Sequence, residues 1–256
     1  MADGRKDWDP GTYARFRGLR LRPALDLLAQ VDGLPEGDVV DLGCGDGAVA
    51  GALRARFPGR RLVGVDASPA MLAQARGYDA TVCADIAGWR GEGLALVFSN
   101  AALHWLGDHA GLMPRLAGML RQGGVLAVQM PRQFLAPSHR FLRDIAGAMF
   151  PDRFDFAGWQ APVATAAEYH ALLSGLGTVE AWETDYVQRL EPVADGHPVR
   201  RFTESTAMRP FLEKLDAAGA AAFVAAYEEA LAAAYPVAED GSVLFPFRRV
   251  FFTLRV

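Results

Sequence analysis

Cysteine is nearly absent. Two residues in 256, Cys44 and Cys83, are too few for a disulfide scaffold, and their spacing suits no thiolate metal site. Reduced thiols in a cytoplasmic protein are the expectation. The opening stretch MADGRKDWDPG lacks the apolar core of a secretory signal. The longest alanine-rich run, 217–235, carries Glu228 and Glu229 and is expected to fall short of a membrane span and pack as a surface helix. Surplus positive charge is missing too. The 26 Lys and Arg face 30 Asp and Glu, a net charge of −4, which argues against nonspecific nucleic acid or an acidic membrane as partner. Lysine occurs only at Lys6 and Lys214, so arginine supplies 24 of the 26 basic residues. GC-rich coding accounts for most of that bias, yet arginine is also the better fork for a carboxylate.

What is present is alternation. Near-continuous apolar runs at 38–44, 62–67, 80–86, 94–100 and 124–130 read as parallel strands buried on both faces. Helical patterns at 47–57, 68–76 and 108–120 separate them. Ser68-Pro69 is an N-cap followed by a first-turn proline, and Gly123-Gly124 is expected to stop a helix before the fifth strand. An α/β fold with a doubly wound, mostly parallel sheet follows. Beyond Met130, helices are expected at 138–149 and 165–175, a strand at 178–187, helical segments at 197–215 and 217–234, and a last strand at 247–255. Seven strands result. The expected organisation is an N-terminal helical lid over 1–35, a sheet domain over 36–189 and 246–256, and a helical cap over 190–245 inserted before the last strand.

The stretch DLGCGDG, 41–47, joins the first strand to the first helix. Gly43, Gly45 and Ala48 satisfy a dinucleotide-binding fingerprint, and Asp66 stands 23 residues after Gly43, where an acid takes a ribose diol. An NAD-dependent oxidoreductase is therefore a competitor. Against it, an ionised Asp41 beside the turn would repel a pyrophosphate by about 3–4 kcal/mol. The third strand also ends in an acid, Asp85, followed by Ile86, a pair suited to the amino group and ring face of adenine. A cofactor with adenine, ribose and a cationic tail satisfies all three acids, and S-adenosyl-L-methionine has that composition. The plainer alternative is that Asp41 caps the turn and Asp85 is a solvated strand end.

Asp41–Gly47 resembles motif I of class I SAM-dependent methyltransferases, Val65–Met71 their second motif, and Ala84-Asp85-Ile86 their third. The resemblance implies S-adenosyl-L-methionine as cofactor and S-adenosyl-L-homocysteine as product. It places Gly43, Gly45 and Gly47 against the methionine moiety, Asp66 on the ribose hydroxyls and Asp85 on adenine. Asp41, Ala67, Met71 and Ile86 fall in the same motifs and complete the candidate cofactor set with Asn100 and Ala101, whose backbone suits the ammonium group. Tyr13, with Phe16, is placed as a lid over the cofactor, ordinary hydrophobic packing being the alternative.

A narrower resemblance runs nearly end to end. DWDPGTYARF (7–16), RLRP (20–23), SNAALHWLGDH (99–109), GGVLAVQMP (123–131), MRPFL (208–212) and YPVAEDGSVLFPFRRVFF (235–252) are similar to the trans-aconitate 2-methyltransferase family. It implies O-methylation of trans-aconitate or a similar small polycarboxylate to a monomethyl ester, with no nucleic acid, membrane or obligate protein partner. Methylation of a malonyl group on a carrier protein is the alternative within the class, and a non-catalytic SAM sensor one outside it. Arg20, Arg209 and Arg249 are the candidates for the unreacting carboxylates, with Arg22 and Arg132 behind them. His104 is placed to bond the attacking carboxylate or to act as a base, Trp105 as a wall, and Gln129 as a polar residue aimed into the crevice; a structural role is the alternative for each. No metal site is expected.

Overall fold

The computed structural model describes residues 17–204 and 206–256, with side chains from residue 21 onward. Tyr13 and Phe16 lie outside the described residues, as does the side chain of Arg20.

Seven strands form one sheet: β1 (Val39–Leu42), β2 (Leu62–Asp66), β3 (Ala80–Cys83), β4 (Leu94–Asn100), β5 (Leu120–Pro131), β6 (Thr178–Leu190) and β7 (Val243–Arg255). Their order is β3-β2-β1-β4-β5-β7-β6. The β3-β2-β1-β4-β5 pairings are all parallel. The chain works outward from β1 to β3, then returns to β4 on the other side. That reversal opens a crevice at the carboxyl ends of β1 and β4, where doubly wound sheets bind ligands. All four residues of β1 and six of the seven in β4 are buried, which is why their sequences are mostly apolar. β3 is mostly exposed because it is an edge strand.

The described helices are α1 (Arg17–Leu28), α2 (Ala50–Arg56), α3 (Pro69–Leu72), α4 (His109–Ala117), α5 (Pro137–Met149), α6 (Ala166–Leu173), α7 (Pro198–Glu204), α8 (Arg209–Leu212) and α9 (Ala217–Ala234), with a 3₁₀ turn over Leu103–Trp105. Ser68 caps α3 as expected, its hydroxyl accepting from Met71 N at 3.2 Å. Three local expectations need correction. The helix before β5 ends at Ala117 with Gly118 as its cap, and Gly123-Gly124 lie inside β5 at a shift of strand register. Gly123 has φ +78°, and a Cβ on Gly124 would meet the carbonyl oxygens of Arg121 and Leu94 at 2.8 Å. The helix expected over 197–215 is two helices, because Pro210 lacks the N–H that a continuous helix would use. β6 and β7 are both longer than their apolar runs.

The chain divides into two compact units. The first comprises the chain to Pro131, Ala164–Glu183 and Val250–Val256; the second comprises Arg132–Val163 and Thr184–Arg249. The first has its core along β1, β2, β4 and β5, with Leu42, Val65, Phe98 and Leu126 fully buried. The second buries an aromatic cluster that includes Phe154, Phe223, Tyr227, Tyr235 and Phe245. By length and composition alone, 18 residues at a mean hydropathy of 1.2, α9 is long and apolar enough to cross a membrane, but it packs against the second unit's core as a core helix does. Its Phe223, Tyr227 and Leu231, four residues apart, are buried in the aromatic cluster. Glu228 of α9 accepts from Arg200 Nε at 2.7 Å and from the His197 amide at 2.9 Å.

Candidate active site

The turn after β1 is held by its neighbour: Gly43 N and Cys44 N both donate to Val65 O, at 2.8 and 3.0 Å. Gly43, Gly45 and Gly47 have φ of +81°, +55° and +85°, so the left-handed backbone itself calls for glycine. Space demands it as well. A Cβ on Gly43 would lie 2.1 Å from Ala102 Cβ, and one on Gly47 would lie 2.9 Å from Arg76 O. Asp66 ties the turn to β2, accepting from Gly45 N at 2.8 Å and from Ser68 N at 2.9 Å through different oxygens. Each oxygen keeps a further lone pair, and the residue is half-exposed. Asp85 is exposed and accepts from Ala87 N, while Ile86 is buried with its Cδ1 3.4 Å from the point where a Gly43 Cβ would stand. Met71 borders Gly45, a Cβ there falling 3.1 Å from its Cε, and Ala67 is exposed beside Asp66. A glycine cradle no side chain can fill, flanked by two reachable acids and an apolar residue, fits a phosphate-free adenosyl cofactor.

Asp41 lies beneath this turn, 1% exposed, and accepts from the Tyr78 hydroxyl at 2.6 Å. Burial pushes its carboxyl up to about 7, the Asp66 charge adds to that, and the Tyr78 hydrogen bond opposes it. Burial also drives the Tyr78 phenol and the Cys44 thiol well above their ordinary ranges, so both stay protonated. Gly64 on β2 makes room for the cluster, since a Cβ there would meet Cys44 Sγ at 2.9 Å and the Tyr78 ring at 3.1 Å. Sequence reasoning missed Tyr78. It stands between a short helix and an edge strand, where no periodicity marks it.

Asn100 ends β4, and its side-chain oxygen accepts from Gln129 Nε2 at 2.6 Å. Ala101 follows with φ +54°, a strained value for alanine, and its amide donates to Gln129 O at 2.9 Å. Gln129 is fully buried, and this amide serves the Asn100 loop. In the 3₁₀ turn, Leu103 is buried, and the His104 and Trp105 rings lie 4.6 Å apart with Trp105 56% exposed. His109 at the start of α4 bonds Leu103 O through Nε2 at 3.0 Å and the Tyr169 hydroxyl through Nδ1 at 2.6 Å.

The structure thus gathers the candidate cofactor residues from Asp41 to Ala101 in the first unit, with His104, Trp105 and Gln129. Arg209 and Arg249 belong to the second. Arg249 is 4% exposed, its guanidinium carbon 4.9 Å from the Phe247 ring centre. Arg209 is exposed and bonded to Glu213 at 2.8 Å. Arg132 lines a small concavity of the second unit with Phe134, Leu135, Ala161 and Val163. Arg22, on α1, is exposed and stands 3.9 Å from half-buried Asp26. Among the described residues, no cluster of three or more His, Cys, Asp or Glu is placed to hold a metal ion.

Residues 40–128 match a family described as a methyltransferase domain. A trans-aconitate 2-methyltransferase of Methylobacterium nodulans is 45% identical over 256 residues, spanning 97% of this chain and 98% of that one. One from Paracidovorax citrulli is 43% identical over 260 residues, with the same coverage. Among solved structures, phosphoethanolamine N-methyltransferase 2 of Haemonchus contortus, in complex with S-adenosyl-L-methionine, shares the fold with a TM-score of 0.52 at 18% identity, over 91% of this chain and 52% of that one. The oxidoreductase reading falls away. The chain belongs to the trans-aconitate 2-methyltransferase family, a group of S-adenosyl-L-methionine-dependent transferases.

Proposed function

We propose that the enzyme methylates one carboxylate of trans-aconitate, or of a closely similar small polycarboxylate, to a monomethyl ester. The observation that carries this is the near full-length identity to trans-aconitate 2-methyltransferases, joined to a glycine cradle flanked by acids. When bound, S-adenosyl-L-methionine supplies an electrophilic methyl group on a sulfonium. A carboxylate is already ionised at pH 7 and needs no base to attack it. The chain's task is to align the reacting oxygen, exclude water and neutralise the other carboxylates.

Gly43, Gly45 and Gly47 let the backbone approach the methionine moiety. The remaining lone pairs of Asp66 take the ribose hydroxyls, Asp85 and Ile86 take adenine, and Ala67 and Met71 flank them. Asn100 and Ala101, fixed by Gln129, offer carbonyls to the ammonium group, and Asp41, whose ionised form a cation above it favours, complements that charge from below. His104 bonds the reacting carboxylate, and Trp105 walls the substrate. Arg20, Arg209 and Arg249 hold the carboxylates that do not react, with Tyr13 closing over the cofactor. Burial makes Arg249 the strongest of these, because a guanidinium–carboxylate pair gains force as water is removed. On this reading the enzyme acts in the cytoplasm on a free metabolite, without protein, nucleic-acid or membrane partner.

Incubation with labelled methyl donor and a panel of di- and tricarboxylic acids tests the proposal. The expected result is a monomethyl ester of trans-aconitate formed in step with S-adenosyl-L-homocysteine. No ester from any free acid, alongside turnover of a carrier-bound malonyl group, would overturn it.

A further inference from the structure

We propose that His109 is a positioning residue for methyl transfer, holding the Leu103–Trp105 turn through the Leu103 carbonyl while Tyr169 fixes its ring from the other side. This rests on the reading above that the turn carries substrate-facing residues. A 3₁₀ turn of three residues has poor hydrogen-bond geometry and little stability of its own. Its own bonds are Trp105 N to Ala102 O at 3.2 Å and Leu106 N to Leu103 O at 3.0 Å, and no side chain caps its start. His109 Nε2 adds a second donor to Leu103 O at 3.0 Å, occupying both lone pairs of that carbonyl.

A carbonyl only accepts, so in this contact the imidazole proton sits on Nε2. Nδ1 is then the acceptor for the Tyr169 hydroxyl, 2.6 Å away. Tyr169 is itself held: it is 1% exposed, its ring centre is 4.9 Å from that of Phe252, and its oxygen accepts from Ala164 N at 3.3 Å. The chain Ala164–Tyr169–His109–Leu103 therefore anchors the turn to α6, which lies about 60 residues further along the sequence. His104 and Trp105 are the residues it places.

The test compares His109→Leu, which removes both bonds, with His109→Gln, whose amide can both donate to Leu103 and accept from Tyr169. His109→Leu should lower kcat/KM for trans-aconitate by about 10–100-fold, the scale of a misplacement near 1 Å. The Kd for S-adenosyl-L-homocysteine should stay within about twofold, and His109→Gln should restore kcat/KM to within about fivefold of wild type. In wild type, ¹⁵N-edited NMR at pH 8 should show the His109 proton on Nε2. A folded His109→Leu with wild-type kcat/KM, or a proton on Nδ1, would overturn the proposal. If His109→Leu does not fold, Tyr169→Phe gives the same readout, with loss of kcat/KM at unchanged cofactor affinity expected and no loss counting against. Trp105→Ala separates the two readings. If it leaves kcat/KM unchanged, the turn does not face substrate and both fail; if it impairs turnover while His109→Leu does not, only the role of His109 fails.

Discussion

The Tyr78 hydroxyl donates a 2.6 Å hydrogen bond to Asp41, joining the loop before β3 to the one acid of β1. That acid sits at about 7, well above its ordinary value of 3.8. The folded protein therefore keeps a proton that the unfolded chain releases between pH 4 and 7, so this group's contribution to stability falls as the pH rises through that window. Asp41→Asn removes the titration. Its Tm should rise relative to wild type from pH 4 to pH 7, as read by calorimetry at half-unit steps. Buried His139, held down to about 4, has the opposite sign and costs stability as the pH falls below 6.5, but it is common to both proteins and cancels in the comparison.

Asp66→Ala should weaken S-adenosyl-L-homocysteine binding by about 1.5–3 kcal/mol, because charged hydrogen bonds to the ribose are lost. The same carboxylate holds the Gly45 and Ser68 amides, so some loss of Tm should accompany it. Isothermal titration at pH 7.5 measures the first effect; a Kd within twofold of wild type would remove Asp66 from the cofactor site.

Arg249→Ala should raise KM for trans-aconitate by at least about tenfold, with cofactor Kd unchanged. Arg249→Lys should not rescue it, since a point charge does not reproduce the planar fork. Arg209→Ala breaks only an exposed pair with Glu213 and should shift stability by no more than about 1 kcal/mol. Any rise in KM for that variant then reports substrate contact directly. Steady-state kinetics over a range of acid concentrations decides both.

Gly43→Ala should cost about 2 kcal/mol or more, combining a left-handed φ with a contact at 2.1 Å. Urea unfolding gives the stability change. Gly59 provides the control, because its φ of +77° is similar and no heavy atom lies within 4 Å of the added Cβ. Gly59→Ala should lose only the conformational part, about 1 kcal/mol.

Much of the parallel sheet was legible because strands buried on both faces are mostly apolar, and β1 and β4 are buried along almost their whole length, with Asp41 and Ser99 as hydrogen-bonded exceptions. The glycine turn was legible because φ values near +80° exclude most side chains. The supporting layer was not. Tyr78 and Asp41 are 37 residues apart, His109 and Tyr169 are 60 apart, and neither pair leaves a periodic trace. Gln129 stood out as a polar residue in an apolar run, yet its amide bond to Asn100 required the pairing of β4 with β5 to be known. Gly123-Gly124 looked like a helix stop because the same backbone freedom serves a strand irregularity equally well.

The contact between Gly43 and Ala102 has a practical meaning for anyone redesigning acid preference. Where the loops meet, one has no side chain and the other a single methyl group, so neither can be enlarged without parting them. Variation aimed at new substrates should leave 41–47 and 100–102 fixed and sample the arginines instead. On the proposed assignment, a change of length or charge there should alter the grip on the acid without disturbing the donor's seat.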